Sequence, residues 1–276
     1  MSERAPDPPR PREWSAAFAA DLHLSAGDGS GIARATALVD LCASRCGRLF
    51  LLGDLFDLWI SGAELAMVEF APLFAALKRA AAGGLAIDFL AGNRDFNFTA
   101  ADGAALGVRV AAQEEIDVEI DVEIDDAAGS LRLRLLHGDQ LLRDDVAYQR
   151  MKRVVRSGPV RFMARHMPRL LTQSIGRRLR RYSDQVVGTK PAARLRIVPA
   201  AVRERFATGA RAVLCGHVHR LARLDYGEGR ELLVLPPFFE SGAFVVVERG
   251  ILRAADLSGA LHDLPPAGPI EGPALA

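Results

Sequence analysis

The chain of 276 residues is half hydrophobic and a quarter charged, and its 35 basic and 34 acidic residues leave a formal net charge of +1. This is the composition of an ordinary soluble protein with one large domain or two small ones. It excludes a membrane-spanning protein, because no stretch approaches the ~18 consecutive apolar residues of a membrane span.

The three cysteines, Cys42, Cys46 and Cys215, lack the spacing of a disulfide framework. We expect them to be reduced packing residues of a cytosolic protein. The polar, Pro-rich residues 1–14 have no apolar core of a signal peptide and predict a disordered leader, so export is not expected. The Pro/Gly-rich residues 257–276 predict a flexible tail.

Between these ends, short apolar runs alternate with helical patterns. "AAFAADLHL", "GRLFLLGD" and "LAIDFLAGN" are each typical of a strand that ends in a loop. Residues 31–46 and 63–82, which lie between these runs, have helical periodicity. This βαβαβ order predicts a layered α/β fold.

From about residue 108 the pattern changes to the two alternating runs "EIDVEIDVEIDD" and "LRLRLLHGD". Alternation of Ile and Val with Asp and Glu is typical of an antiparallel strand with one buried face. We therefore expect a solvated, charged edge of a sheet here and not an acidic metal-binding run.

Residues 141–206 have helical patterns rich in Arg and Lys, with apolar residues interleaved and few acids. They predict a basic, amphipathic helical cap inserted into an α/β core formed by residues 15–140 and 207–256. Such a composition suits the anionic surface of a lipid bilayer. It also suits RNA or a merely solvated helix face, although the segment has few aromatic residues on which bases could stack.

Five strand-like runs end in polar clusters: "ADLHL", "LLGDLFD", "LAGNRDF", "LLHGD" and "LCGHVHR". Because ligands of α/β sheets bind beyond the carboxyl ends of the strands, we expect these clusters to converge. They contain two Asp, one Asn and four His that suit metal ligation: Asp21, His23, Asp54, Asn93, His137, His217 and His219. These ligands favour two ions such as Mn, Fe or Zn that share a carboxylate, an arrangement that supports in-line attack at phosphorus.

The series D-x-H, G-D-x-x-D, G-N-R-D, H-G-D and G-H-x-H resembles that of the calcineurin-like metallophosphoesterases and spans residues 21–219. The resemblance implies a layered β-sandwich flanked by helices. The stretches "GDLFDLW", "GNRDF", "HGDQLLRDDVAYQ" and "GHVHR" look more narrowly like the UDP-2,3-diacylglucosamine pyrophosphatases of lipid A biosynthesis. These are typically manganese-dependent enzymes that produce UMP and 2,3-diacylglucosamine 1-phosphate.

The resemblance also implies a role for each ligand-type residue. It places one metal ion on Asp21, His23 and His219, with Asp54 as the bridge to a second ion. The second ion would be held by Asn93, His137 and His217. The residues implied in catalysis are Asp54, Asn93, Arg94 and His217.

Substrate contacts follow from the same resemblance. They are Asn93, Arg94, Asp145, Tyr148, Ser183, Lys190 and His217, and Arg94 offers a guanidinium fork that matches phosphate oxygens. Two features depart from the family pattern: Val187 stands where a polar Asn is typical, and "PPFFESG" replaces the usual Gly-x-Trp strand. We expect Asp57, Asp95 and Asp139 to support the ligands through hydrogen bonds.

These features predict a dinuclear-metal hydrolase, with two divalent ions such as Mn²⁺, acting on a lipid-linked sugar nucleotide. The expected location is the cytoplasm, with peripheral association to the inner membrane through the cap. No nucleic acid and no obligate protein partner are expected. Two alternatives stay open: a metallophosphoesterase for another phosphodiester, nucleotide or phosphoprotein, and a non-catalytic scaffold of the same fold.

Overall fold

The computed structural model describes residues 12–124, 127–166 and 196–270. The strands are β1 (Ala16–Ala19), β2 (Arg48–Leu52), β3 (Ala86–Leu90), β4 (Arg109–Val110), β5 (Glu115–Ile124), β6 (Ala127–Leu136), β7 (Ala212–Cys215), β8 (Ala222–Asp225), β9 (Glu231–Val234), β10 (Phe244–Glu248), β11 (Ile251–Ala255) and β12 (Leu261–His262). The α-helices are α1 (Gly29–Arg45), α2 (Ala71–Ala82), α3 (Ala100–Ala104), α4 (Val146–Val155), α5 (Gly158–Arg165), α6 (Pro199–Arg205) and α7 (Phe238–Ser241).

The strands form two sheets. A seven-stranded sheet has the order β12-β11-β10-β1-β2-β3-β4, and a five-stranded sheet has the order β5-β6-β7-β9-β8. β1, β2 and β3 are parallel in the first sheet, and β6, β7 and β9 are parallel in the second. β5 pairs with β6 in antiparallel register and lies at the edge, which confirms the predicted charged edge strand.

The two sheets pack face to face around an apolar layer. Phe18 of β1 and Phe50 of β2 stack in this layer with ring centroids 5.1 Å apart, and they meet Leu133 and Leu214 of the second sheet. Helices α1 and α2 cover the outer face of the first sheet. Residues of α6 cover the outer face of the second sheet, so the expected layered sandwich with flanking helices is confirmed.

The second helix is shorter than its sequence pattern predicts. The periodicity covers residues 63–82, but the α-helix begins only at Ala71. Ala63–Ala66 and Val68–Phe70 form separate 3-10 turns, because Met67 between them has an extended backbone (φ −79°, ψ 123°). Periodicity reports which side chains face the core, and it does not distinguish one helix from two turns followed by a helix.

Both predicted tails extend too far into the chain. Trp14, assigned to a disordered leader, is 1% exposed and its backbone N–H donates to Arg45 O at 3.0 Å. In the predicted flexible tail, residues 261–262 form β12 and Gly268 exchanges backbone hydrogen bonds with Arg223 and Asp225. Residues 1–11 and 271–276 lie outside the described residues.

Residues at both ends of the predicted cap pack on the second sheet. Leu141 and Leu142 at its start, and Ile197, Val202 and Phe206 at its end, are buried against the second sheet and belong to the core. Residues 167–195 of the predicted cap lie outside the described residues. Among the helices of the described chain, none is long and apolar enough to cross a bilayer.

The three cysteines are buried and free, as predicted. Cys42 lies on the core face of α1, Cys46 ends that helix, and Cys215 ends β7 beneath α6. Burial raises the pKa of Cys46 to about 11, which keeps its thiol protonated at neutral pH. These thiols therefore act as apolar packing groups.

Replacement of Phe50 by Ala should destabilise the protein by about 3–5 kcal/mol, since it opens a cavity in the layer between the sheets. Urea unfolding followed by circular dichroism measures the change. Val68, which is 78% exposed, provides the control: Val68→Ala should alter stability by less than about 0.5 kcal/mol. Equal stability of Phe50→Ala and Val68→Ala would contradict the face-to-face packing.

Candidate metal centre

The predicted polar clusters converge at one edge of the sandwich. Asp21, Asp54 and Asn93 follow β1, β2 and β3, which are parallel, so their carboxyl ends lie together. His137 follows β6 and His217 follows β7 in the second sheet, where those strands are also parallel. The two sheets therefore contribute side chains to a single site from opposite layers.

One group of ligand atoms consists of Asp21, His23 and His219. The Nε2 atoms of the two histidines lie 3.0 Å apart. Asp21 Oδ1 lies 3.8 Å from His23 Nε2 and 3.6 Å from His219 Nε2. Asp21 Oδ1 is buried and has no hydrogen-bond partner in the described chain, while Oδ2 accepts from the His217 backbone N–H at 2.8 Å.

A second group consists of Asp21, Asp54 and His137, with Asn93 and His217 beside it. His137 Nδ1 donates to the Leu52 carbonyl at 2.9 Å, so its Nε2 faces the site. That Nε2 lies 3.0 Å from Asn93 Oδ1, 3.7 Å from Asp54 Oδ2 and 3.2 Å from His217 Nδ1. Asp54 Oδ2 also lies 3.9 Å from His23 Nε2, so this carboxylate stands between the two groups.

The electrostatics of the centre favour a bound cation. Burial raises the pKa of Asp54 to about 7, and the negative charges of Asp95 and Asp21 add to the rise. Burial works against a charged His137, yet the carboxylates of Asp54, Asp21 and Asp139 raise its pKa above the usual value. Crowded carboxylates that raise the proton affinity of their neighbours also attract metal cations.

One imidazole of each group, His23 in the first and His217 in the second, is held neutral. Burial lowers the pKa of His23 to about 3, and it lowers the pKa of His217 to about 4. Neutral imidazole is the form that ligates metal ions. Together with the partnerless Asp21 Oδ1, this donor set of carboxylates, an amide oxygen and neutral imidazoles fits divalent transition metals.

The backbone at these positions is strained. In the described chain, seven residues other than glycine have positive φ, and five of them are ligand-type residues: Asp21 (54°), His23 (48°), Asp54 (52°), His217 (73°) and His219 (50°). Each such conformation costs on the order of 1–3 kcal/mol and persists only where the surroundings impose it. Here adjacent loops impose it, because Asp21 N–H donates to Gly53 O and His23 N–H to Asp54 O.

Glycines next to the ligand-type residues let neighbouring loops approach the carboxylates of Asp54 and Asp21 closely. A Cβ on Gly92 would lie 2.1 Å from Asp54 Oδ1 and 2.4 Å from the Asp54 backbone nitrogen. A Cβ on Gly216 would lie 2.5 Å from Asp21 Oδ2. Gly92 before Asn93 and Gly216 before His217 therefore lie where two loops touch, and a larger side chain would not fit between them.

Arg94 is held at the rim of the centre. Its Nη1 donates to Asp57 Oδ1 at 3.0 Å, its backbone N–H donates to Asp54 Oδ1 at 2.9 Å, and its Nε lies 3.8 Å from Asp54 Oδ2. Asp95 fixes the loops below, since its carboxylate accepts backbone N–H groups of Asp54, Phe56 and Gly92. Asp57 and Asp95 thus occupy the supporting positions predicted for them.

Asp139 connects the centre to helix α4. Its Oδ2 accepts from the Tyr148 hydroxyl at 2.7 Å and lies 2.9 Å from Lys152 Nζ. Glu114 pairs with both Lys152 and Arg156. Burial raises the pKa of Tyr148, and the charge of Asp139 raises it further, so the phenol remains a hydrogen-bond donor. The sequence predicted Asp139 as a support but missed Lys152, Arg156 and Glu114, whose pairing has no local motif.

The predicted substrate contacts are only partly described. Asp145 is buried and caps α4, where its side chain accepts from the Tyr148 backbone N–H at 3.1 Å. Tyr148 lies near the centre through its bond to Asp139. Ser183, Lys190 and Val187 lie outside the described residues.

The structure has the layered α/β sandwich fold of the calcineurin-like type, and Asp, Asn and His side chains that could hold metal ions meet where five of its strands end. The UDP-2,3-diacylglucosamine hydrolase of Nitrosococcus oceani is 32% identical over 222 residues, covering 79% of this chain and 85% of that protein. The UDP-2,3-diacylglucosamine hydrolase of Ralstonia nicotianae is 32% identical over 252 residues, covering 86% of this chain and 90% of that protein. The chain belongs to the UDP-2,3-diacylglucosamine hydrolase family, and it is a metal-dependent hydrolase.

Among solved structures, a dimetal phosphatase from Danio rerio aligns over 87% of this chain and 94% of the phosphatase chain, with 10% sequence identity and a TM-score of 0.45. No family model matches the sequence.

Substitution of Gly92 by Ala should weaken metal binding by about 10–100-fold, because the new Cβ displaces the Asp54 carboxylate. Metal retained per chain after loading with Mn²⁺ and dialysis measures the effect. Gly29→Ala is the matched control, since a Cβ there meets no atom within 4 Å. Retention of equal metal by both variants would show that Asp54 is not a ligand.

Proposed function

We propose that the protein hydrolyses the pyrophosphate bond of UDP-2,3-diacylglucosamine and releases UMP and 2,3-diacylglucosamine 1-phosphate. The observation that carries the proposal is the convergence of seven carboxylate, amide and imidazole side chains from both sheets at one edge of the sandwich. The name shared by relatives that align over most of the chain supports the choice of substrate.

In this proposal Asp21, His23 and His219 would hold one divalent ion, and Asn93, His137 and His217 would hold a second. The carboxylate of Asp54 lies between the two groups and would serve both ions. Two such ions would lower the pKa of a water molecule and neutralise charge on phosphoryl oxygens. We assign Mn²⁺, which suits mixed oxygen and imidazole ligands.

The residues of the chain then position the substrate. A water oxygen forms a bond to the α-phosphorus and releases its protons to solvent, the bond from the α-phosphorus to the oxygen that bridges it to the β-phosphorus breaks, and the sugar 1-phosphate leaves with that oxygen. Arg94 stabilises the charge that develops on the phosphoryl oxygens, because Asp57 holds its guanidinium at the rim beside Asp54. Since the leaving phosphate is already a stable anion, no separate general acid is required.

Helices α4 and α5 support binding of a lipid substrate. Val154, Phe162 and Met163 are 62%, 67% and 59% exposed, a costly arrangement for apolar side chains that face water alone. Basic residues Arg150 and Arg153 lie exposed on the same helices. We propose that this surface contacts the anionic inner membrane, where the acyl chains of the substrate reside.

The function is tested with purified full-length protein, Mn²⁺ and UDP-2,3-diacylglucosamine. We expect release of UMP, detected by chromatography, and a loss of at least ~10³-fold in rate for Asp54→Asn, since the shared carboxylate is lost. Asp40→Asn, at an exposed position of α1, should keep the wild-type rate. Cleavage of bis(p-nitrophenyl) phosphate without UMP release would favour the alternative phosphodiester substrate.

Membrane association is tested with the triple variant Val154→Ser, Phe162→Ser, Met163→Ser. We expect at least ~10-fold weaker co-sedimentation with vesicles that contain phosphatidylglycerol, because the apolar contact area is lost. Hydrolysis of the chromogenic phosphodiester should stay unchanged. Wild-type sedimentation of the triple variant would place the membrane contact elsewhere.

A further inference from the structure

The segment that departs from the family pattern, "PPFFESG", lies against the metal centre. The ring of Phe239 meets the imidazole of His23 with centroids 5.4 Å apart and planes at 76°. It meets the imidazole of His219 at 5.2 Å and 70°. Both contacts are edge-to-face, an arrangement that attracts aromatic rings beyond simple area burial.

The position of Phe239 is fixed by its backbone. Its N–H donates to Asp21 O at 3.1 Å, which ties it to the loop that carries a ligand-type residue. Its carbonyl accepts from Arg34 Nη2 of α1 at 2.7 Å, and the Glu240 carbonyl accepts from Arg34 Nη1 at 3.2 Å. The adjacent Phe238 is 1% exposed and anchors the segment in the core.

The half of the centre that Phe239 covers is the open half. The side chain of His219 is 37% exposed and that of His23 is 12% exposed, whereas His137 in the other half is fully buried. His137 is also fixed by a hydrogen bond to Leu52 O. For His23 and His219, the described contacts of the imidazole rings are with each other, with carboxylates of the centre and with Phe239.

We propose that Phe239 is a positioning residue that orients the imidazoles of His23 and His219 and thereby sets the affinity of this half of the centre for its divalent ion. The inference rests on the two-ion centre of the proposed function. A ring in edge contact with both imidazoles restricts their rotation while the metal-facing nitrogens stay accessible. Groups that orient metal ligands in this way typically change metal affinity by 10–100-fold when removed.

The experiment is a Mn²⁺ titration of the full-length protein, with free Mn²⁺ followed by electron paramagnetic resonance. We expect two bound ions in the wild type. In Phe239→Ala, one ion should bind about 10–100-fold more weakly, and the other should bind as before. Phe239→Tyr, which keeps the ring, should restore binding, and Phe239→Leu, which keeps apolar bulk without a ring, should not.

Two further variants separate orientation from general stability. Arg34→Met removes the hydrogen bonds that hold the Phe239 carbonyl and should weaken the same ion. Ile251→Ala, at an exposed apolar residue of β11, should bind both ions normally. The midpoint of thermal unfolding in chelator should differ little between Phe239→Leu and Phe239→Tyr, so that their difference in affinity reports ring contacts.

Unchanged affinities in Phe239→Ala, equal weakening of both ions, or wild-type binding by Phe239→Leu would each overturn the inference. A wild-type protein that binds fewer than two ions would overturn the two-ion centre itself. A wild-type protein that binds two ions but releases no UMP would overturn the substrate proposal and leave the role of Phe239 intact.

Discussion

The candidate metal centre depends on Asp21, a fully buried carboxylate at the junction of the two sheets. Burial opposes its charge, but the neighbouring imidazoles of His219, His137 and His23 lower its pKa to about 2. One oxygen accepts the backbone N–H of His217 from the opposite sheet, and the other has no partner in the described chain. A buried carboxylate with one oxygen that accepts no hydrogen bond is tolerated where a cation binds that oxygen.

The left-handed backbone at five ligand-type positions follows from the same requirement. These five residues follow three strands, β1, β2 and β7, and must turn their side chains towards one point, whereas an extended backbone would place successive side chains on opposite faces of the sheet. Short hydrogen bonds between neighbouring loops, such as that of His23 N–H to Asp54 O at 2.9 Å, hold these turns. The stability of the two sheets therefore offsets the strain, and the ligand atoms are arranged before any ion binds.

Much of the site was predictable because its signals are local. An apolar run followed at once by Asp, Asn or His, as at "LLGD" and "LAGN", marks a strand whose carboxyl end presents ligands. The alternation in residues 115–124 likewise predicted an edge strand, and β5 confirms it. These patterns describe single elements, and each element keeps its local preference in the fold.

What the sequence did not predict involves contacts between distant elements. The resemblance implied the sandwich, but the residues alone do not assign a strand to one sheet or the other, because β1 and β7 are similarly apolar although they lie in different sheets. The boundaries of the cap were too wide because helical periodicity in α6 is the same whether a helix packs on a core or on another helix. Phe239 was noticed only as a departure from a family pattern, since nothing in "PPFFESG" indicates that its ring lies on His23 and His219.

Several basic residues of the predicted cap pair with groups of the core and do not face solvent as free charges. Lys152 is 9% exposed and lies between Glu114 and Asp139, and Arg165 of α5 donates to the buried Asp102 at 3.0 Å. Arg156 donates to the carbonyl of Gly92, beside the ligand-type Asn93. These cations are engaged by the core, so they contribute little to the attraction of a membrane. Their pairing ties α4 to Asp139 and Gly92 beside the candidate metal centre and ties α5 to α3. The exposed apolar residues of the same helices are left as the stronger argument for a lipid substrate.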